Sequence, residues 1–490
     1  MRTKATSASI AFIFIAFGAS LPCSFGRSVA SSWQGVETSR FTIYSANQDP
    51  GAQAILARLE TARSFFAQAG LTTPGTTSAL AILAVDATAD ADVYRLNPAA
   101  YAFYQRTPHG DFVVMHDLAP EHFSVAVHEY THFVIEHAGL KLPLWLNEGV
   151  ADFYSTLEAR KTQVVIGIAP IGREDRLRAG HWIDWTTLTA VDNESPYYRQ
   201  SDKMILFYAQ SWAMVHMLAL DPEYAAGFPK FLETVSSGVT VDAAMIAIYH
   251  KNLQQIGEDL QSYVGSKRMT THVLDIDVRL PALATTEIAD AGARVEFALA
   301  EILSANPPMI EEATRRLTAL ATKYQQDPRA DESLGFIAMR AGLAQDAAAH
   351  FARALQNHSQ DPEVWFRLAH LKLQTGGPTP EVVDLLERVT AINADNYAAR
   401  LELGFAAAKI EKYDLAVKTL EGISKVKPEH AYLVTYTLAY CLIHMEQGNR
   451  ARTYAEQASK IAPTNKDRNE AANLLSYIDK ATPVEVAARD

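Results

Sequence analysis

Cysteine is nearly missing from this chain: 490 residues hold two, Cys23 and Cys441. If a leader ending near Ala30 is removed, Cys441 stands alone and no intrachain disulfide can form, so the fold must be held by its apolar cores. Clustered basic residues are missing as well. Lys and Arg total 44 against 56 Asp and Glu, a net charge of -12, and no basic stretch could track a phosphate backbone; nucleic acid is therefore not an expected partner. Beyond the first 30 residues no apolar run is long enough to cross a membrane, so the mature chain is expected to have no span. No G-x-S-x-G, C-x-x-C, P-loop or dinucleotide fingerprint occurs, which removes the chemistries those motifs support. What is present is a 48% hydrophobic composition, enough for two or three domains with real cores.

The N-terminus carries Arg2 and Lys4, an apolar stretch from Ile10 to Leu21, and small residues reaching Ser28-Val29-Ala30. That order describes a secretory signal peptide over residues 1–30 and an exported, periplasmic or extracellular, protein. The competing reading is an uncleaved N-terminal membrane anchor. Ser, Pro and Cys interrupt the run, which falls short of the ~20 apolar residues a span requires.

The strongest local signal is His128-Glu129-Tyr130-Thr131-His132, followed by Asn147-Glu148-Gly149. With 15 His in the chain, random composition yields about 0.03 matches to H-E-x-x-H, so the motif is suggestive alone and needs context. Phe123, Val127, Tyr130, Val134 and Ala138 recur at helical spacing between Pro120 and Ala138, with Gly139 as a stop. Residues four apart share a helix face, so His128 and His132 can grip one metal ion with Glu129 beside the open position. Zinc in a hydrolase needs a third protein ligand. A third His at position 138, as metzincins carry, is ruled out because that residue is Ala. Glu148, on a helix that a turn at Gly139 and Pro143 can bring back beside the first, is the better candidate. Asp152, four residues on, could accept the outer N–H of His128. The competing reading makes Glu148 and Asp152 surface carboxylates, against which stand the apolar neighbours Trp145, Leu146, Val150 and Phe153.

Around this motif, residues 31–119 read as a small α/β lobe, with strands near Phe41–Tyr44, Ala79–Val85 and Phe112–Met115 and a helix over Ala52–Ala69. An edge strand just before the motif helix could hold an extended peptide by strand addition. Residues 120–265 read as a helical, zinc-binding catalytic domain, interrupted by a loop region from Gly167 to Arg199 that borders the cleft. Residues 266–290 read as a linker and 481–490 as a tail. Glu136, His137, His109, His116 and His216 read as structural or surface groups.

From 291 to 480 the chain repeats. Leu299-Ala300, Leu334-Gly335, Leu368-Ala369, Leu403-Gly404 and Leu438-Ala439 are offset by 35, 34, 35 and 35 residues, which means stacked helical hairpins. Trp365-x-x-Leu368-Ala369, Tyr413-Asp414-x-Ala416 and the prolines 328, 362, 428 and 463 resemble the tetratricopeptide repeat (TPR) family. The resemblance implies five imperfect repeats with a surface for a protein partner or substrate.

His128-Glu129-x-x-His132, Trp145-Leu146-Asn147-Glu148-Gly149-Val150-Ala151-Asp152 and Tyr208-Ala209-Gln210-Ser211 together resemble the gluzincin metallopeptidases, in particular the M1-like, peptidase MA-like or DUF1570 type, over about Phe41 to Val264. The resemblance implies Zn2+ held by His128, His132 and Glu148, Glu129 as general base, and Tyr208 as oxyanion donor; by helix pattern alone Tyr208 reads as a core tyrosine. No Gly-Ala-Met-Glu-Asn segment precedes the motif, so the resemblance does not extend to aminopeptidases.

The expectation is therefore a mainly α protein with a small N-terminal α/β lobe, a gluzincin-like helical catalytic domain and a TPR α-solenoid. It would be an exported zinc peptidase acting on peptide or protein substrates. The alternative is a non-catalytic or weakly catalytic TPR interaction protein that carries a gluzincin-like lobe.

Overall fold

A computed structural model describes residues 33–46, 49–71, 79–85, 101–160, 162–266, 269–278 and 285–481. The expected signal peptide and tail lie outside these residues. Among them, no helix is long and apolar enough to cross a membrane. The chain divides into two units, one ending at Ala313 and one beginning at Thr314.

The first unit is built on a six-stranded mixed sheet in the order β4-β5-β3-β2-β1-β9: β1 (Trp33–Glu37), β2 (Phe41–Ala46), β3 (Leu80–Ala84), β4 (Ala102–Thr107), β5 (Gly110–Met115) and β9 (Thr286–Ile288). β2, β3 and β5 run parallel; β4 pairs antiparallel to β5 in a tight hairpin and forms an edge. The strand immediately before the motif helix, β5, is thus internal, and the edge is β4, which the sequence reading did not identify. Alternation sends Phe41, Ile43, Leu80, Ile82, Val113 and Met115 to one face and Tyr44, Leu83, Val85 and Val114 to the other, the period-2 consequence of the pleat.

On the first face lie α1 (Gly51–Gln68) and α2 (Phe123–His137), within a core that continues into α3 (Leu144–Ser155), α7 (Ser201–Leu220) and α10 (Leu253–Gly265). The lobe and the helical region expected as separate domains therefore share one core. The other face is covered by α11 (Ala291–Ser304), whose Val295, Ala298, Leu299, Ile302 and Leu303 pack on it.

Two expectations need correction here. The stretch 266–290, expected as a linker, supplies β8 (His272–Leu274), paired with β7 (Gln163–Ile166), and β9, paired with β1. Strands of three residues are too short to leave a periodic signal. Leu299-Ala300, expected in the first repeat, belongs to the helix that closes the sheet. The helical period is the same in either setting, and only the partner surface differs.

Between these elements run three short helices: α4 (Arg173–Arg178), α5 (Trp185–Thr189) and α6 (Pro196–Arg199). Gln210 of α7 fastens this stretch. Its side-chain oxygen accepts from the Ile183 amide and its nitrogen donates to the Ile183 carbonyl, both at 2.8 Å.

The second unit is a succession of helix pairs: α13 (Arg329–Arg340) with α14 (Ala344–Gln356), α15 (Pro362–Gly376) with α16 (Pro380–Ile392), α17 (Tyr397–Lys409) with α18 (Tyr413–Glu421), and α19 (Pro428–His444) with α20 (Gly448–Ile461), closed by α21 (Asn465–Ala481). Helix α12 (Ile310–Lys323) crosses the division. The small repeat residues do what the pattern requires. A Cβ on Gly335 would come within 2.4 Å of the Phe351 ring, and one on Gly404 within 2.5 Å of Leu420. The turn inside each pair has a residue at positive φ: Gly342 (76°), Gly377 (77°), Glu411 (65°) and Glu446 (58°). Cys441 is buried and free.

Candidate metal centre

Helix α2 starts behind a 3-10 turn at Pro120–His122 and stops at Gly139, whose φ of 69° lets the amides of Gly139 and Leu140 return to the carbonyls of Glu136 and Ile135. The chain then reverses, and α3 runs back beside α2. Gly149 permits the next contact: a Cβ there would lie 2.5 Å from the Ser211 carbonyl oxygen, so α3 and α7 touch backbone to backbone. Three helices thus meet around one point.

At that point the Nε2 atoms of His128 and His132 are 3.1 Å apart. Glu148 Oε2 lies 3.2 Å from the first and 3.5 Å from the second. Among the described residues this is the one group of His, Cys, Asp or Glu that could hold a metal ion. The outer ring nitrogens are also engaged: His128 Nδ1 donates to Asp152 Oδ1 and His132 Nδ1 to Asn147 Oδ1, each at 3.0 Å. With protons on both Nδ1 atoms, neutral rings turn two Nε2 lone pairs toward each other and toward a carboxylate oxygen. Such an arrangement needs positive charge at its centre. Four tetrahedral ligands 2.0–2.1 Å from a cation lie about 3.4 Å apart, so the observed triangle is the size of one face of such a shell. Two imidazoles and one carboxylate suit a divalent transition metal and leave a fourth position open.

Glu148 and Asp152 are each only 4% exposed, which disposes of the reading as surface carboxylates. Burial pushes the Glu148 carboxyl up, but the two imidazoles outweigh it and hold the group well below the ordinary carboxylate range. For Glu129, burial wins over the attraction of His128 and His132 and raises its pKa, and the Tyr104 backbone of edge strand β4 hydrogen-bonds its carboxylate. Burial disfavours charge on His128, yet Asp152 and Glu148 raise its pKa well above the usual imidazole value; Glu148 does the same, more weakly, for His132.

Tyr208 sits on α7 with its ring 6.3 Å from that of His128. Its hydroxyl is a hydrogen-bond partner of the Tyr198 hydroxyl, and Tyr198 in turn donates to Glu148 Oε1 at 2.9 Å. Arg173 donates to Asp152 Oδ2 at 2.9 Å and lies over the Tyr208 ring, 5.1 Å from its centroid. Neither Tyr198 nor Arg173 was singled out from the sequence. Both come from the 167–199 stretch, whose lack of period hides side-chain direction; the one signal was its placement beside the cleft.

The other groups weighed from the sequence sit in ordinary structural contacts. His216 is fully buried, donates through Nε2 to the Gly167 carbonyl at 3.0 Å and accepts from the Tyr263 hydroxyl at 2.8 Å. His137 pairs with Asp111 at 2.9 Å, His109 with Glu301, and Glu136 with Arg106 at 3.1 Å. The amide of His116 donates to the Tyr101 carbonyl at 2.9 Å.

No family model matches this sequence, and no curated protein matches it. Solved structures do show likeness. One is described as YrrB, a TPR protein with an unusual peptide-binding site: 18% identity over 37% of this chain and 92% of that one, with a TM-score of 0.31. A MamA structure shares 22% identity over 31% of this chain and 84% of its own, with a TM-score of 0.27. A second MamA structure shares 15% over 37% and 94%, also at 0.27. Each of these likenesses covers between 31% and 37% of this chain.

Proposed function

We propose that this protein is a zinc-dependent hydrolase of peptide bonds, with His128, His132 and Glu148 as the metal ligands. One observation carries the reading: three inward-facing ligand atoms, 3.1 to 3.5 Å apart, with both outer imidazole nitrogens already engaged. Bound zinc would polarise a substrate carbonyl and make water acidic enough to attack near neutral pH. Glu129, whose raised pKa suits proton exchange, takes the proton from the attacking water and delivers it to the leaving nitrogen. Asp152 and Asn147 keep the Nε2 lone pairs aimed inward by holding the Nδ1 protons. Tyr208 is the nearby hydroxyl able to meet the oxyanion, on exchanging its bond to Tyr198 for one to substrate. Export through residues 1–30 belongs to the same reading.

The solved structures named above stand on the side of a second reading, in which the helical repeats carry the function by docking a protein partner and the metal centre turns nothing over. Purified protein separates the two. Under the first reading it contains about one zinc per chain, cleaves a peptide library, and loses cleavage on chelation. Glu129→Gln keeps the zinc and loses at least ~10²-fold in turnover. Full cleavage by metal-free protein or by Glu129→Gln overturns the first reading. A zinc-loaded wild-type chain that cuts nothing in the library leaves the second.

A further inference from the structure

The two oxygens of Glu148 are used differently, and the difference has a structural cause. Oε2 faces both imidazoles, at 3.2 and 3.5 Å, whereas Oε1 accepts the hydroxyl hydrogen of Tyr198 at 2.9 Å. Tyr198 is 7% exposed. Its place is fixed from several directions: Ser195 caps the short helix α6 by accepting from the Tyr197 amide at 3.2 Å, and the Tyr198 ring packs edge-on against Phe207, with centroids 5.9 Å apart. A carboxylate beside a cation binds through one oxygen or through both. With both, it fills an extra coordination position and crowds the one that attacking water needs.

We propose that Tyr198 is a positioning residue that keeps Glu148 a one-oxygen ligand. By occupying Oε1, it leaves Oε2 alone to complete the triangle with the two imidazoles and preserves the open position. The inference rests on reading His128, His132 and Glu148 as ligands of one cation. Tyr198 also links this control to Tyr208. The Tyr208 hydroxyl is paired with that of Tyr198, so Tyr208 can turn toward a substrate oxygen without releasing Glu148. Sequence position hid this arrangement, since 50 residues separate Tyr198 from Glu148.

Cobalt(II) in place of zinc is the probe, because its visible absorption weakens as coordination number rises above four. Full-length wild-type protein, Tyr198→Phe and Tyr208→Phe are loaded with cobalt, and both spectrum and affinity are read without any substrate. Tyr198→Phe keeps the ring and its packing but frees Oε1. Its cobalt spectrum is expected to lose intensity as Glu148 becomes a two-oxygen ligand, with metal affinity down ~10- to 100-fold. Tyr208→Phe, which leaves the bond from Tyr198 to Glu148 in place, is expected to keep the wild-type spectrum. An unchanged spectrum and affinity in a folded Tyr198→Phe protein overturns the role of Tyr198 while leaving the metal centre intact. A wild-type chain that takes up no cobalt overturns the metal centre and this inference together. Should Tyr198→Phe fail to fold, Tyr198→Leu, which also lacks the hydroxyl, carries the same expectation and the same refutation.

Discussion

The two units pair their polar groups at different ranges. In the unit that carries the candidate metal centre, polar groups find partners far along the chain: Thr107 donates to Glu301 across 194 residues, Gln68 to the Asp277 carbonyl across 209, and Tyr198 to Glu148 across 50. In the helical repeats the partners sit within about one repeat: His350 with Asp331 at 19 residues, His370 with Glu402 at 32, and Tyr397 with His430 at 33. Nearest-neighbour bonding makes the solenoid tolerant, because a defect stays local. Long-range bonding makes the first unit exacting, since one misplaced helix moves candidate ligands that come from two.

The sharpest break of that contrast uses two buried glycines. Gly149→Ala drives a Cβ into the rigid Ser211 carbonyl, and we expect a loss of about 3 kcal/mol together with most of the metal affinity. Gly404→Ala meets only the Leu420 side chain, with no backbone atom in the way, and should cost about 1 kcal/mol with metal binding untouched. Thermal melts and zinc titrations of both variants decide it; equal losses of metal would show that the units are not energetically distinct.

Acid should expose the next difference. Burial takes the His216 pKa down to about 4 from its ordinary 6.5, so between those values the unfolded chain binds more protons. Stability is then present above pH 6.5 and drains as pH falls toward 4, by roughly 2–3 kcal/mol from this group. Chemical denaturation of His216→Gln at pH 7 and 4.5 should show a shallower acid loss than wild type; parallel losses would remove His216 as the cause. In the solenoid, Asp331 is also buried, but His350 and Arg353 hold its carboxyl below the usual range. Its contribution persists lower, draining only as pH drops beneath the ordinary carboxylate value and through the depressed one.

Smaller still, Asp152→Asn leaves the fold but removes the negative charge that backs the His128 ring, and isothermal titration should report zinc affinity down ~10- to 100-fold; no change would mean that Arg173 and Asp152 serve the fold alone. Least of all, Glu446→Gly relieves a left-handed backbone that two other repeats fill with glycine. We expect a gain of about 0.5 kcal/mol, the strain relieved less the added freedom of the unfolded chain, read as a higher melting temperature.

The parts legible in the sequence were those with a period. Helix α2 could be read from its apolar spacing, Gly139 from its place after the last periodic residue, and the repeat from its recurrence. The three residues that meet as candidate ligands were named because helices of known pitch make direction computable. Arg173 and Tyr198 were not, because helices of six and four residues have no period to reveal which way a side chain points. Strands β8 and β9, of three residues each, escaped for the same reason. Tyr208 shows a different limit: its position in α7 was readable, but its bond to Tyr198 depends on a residue the sequence left unplaced.

The helix Ala291–Ser304, which covers the second face of the sheet, dictates an order of events as the polypeptide is made. By the time the ribosome has delivered Glu148, the sheet still lacks its sixth strand and one entire covering layer, both encoded more than a hundred residues further on. Folding of the first unit must therefore wait until Ser304 has been made. Any shortened version meant to stand alone has to run at least to Ser304.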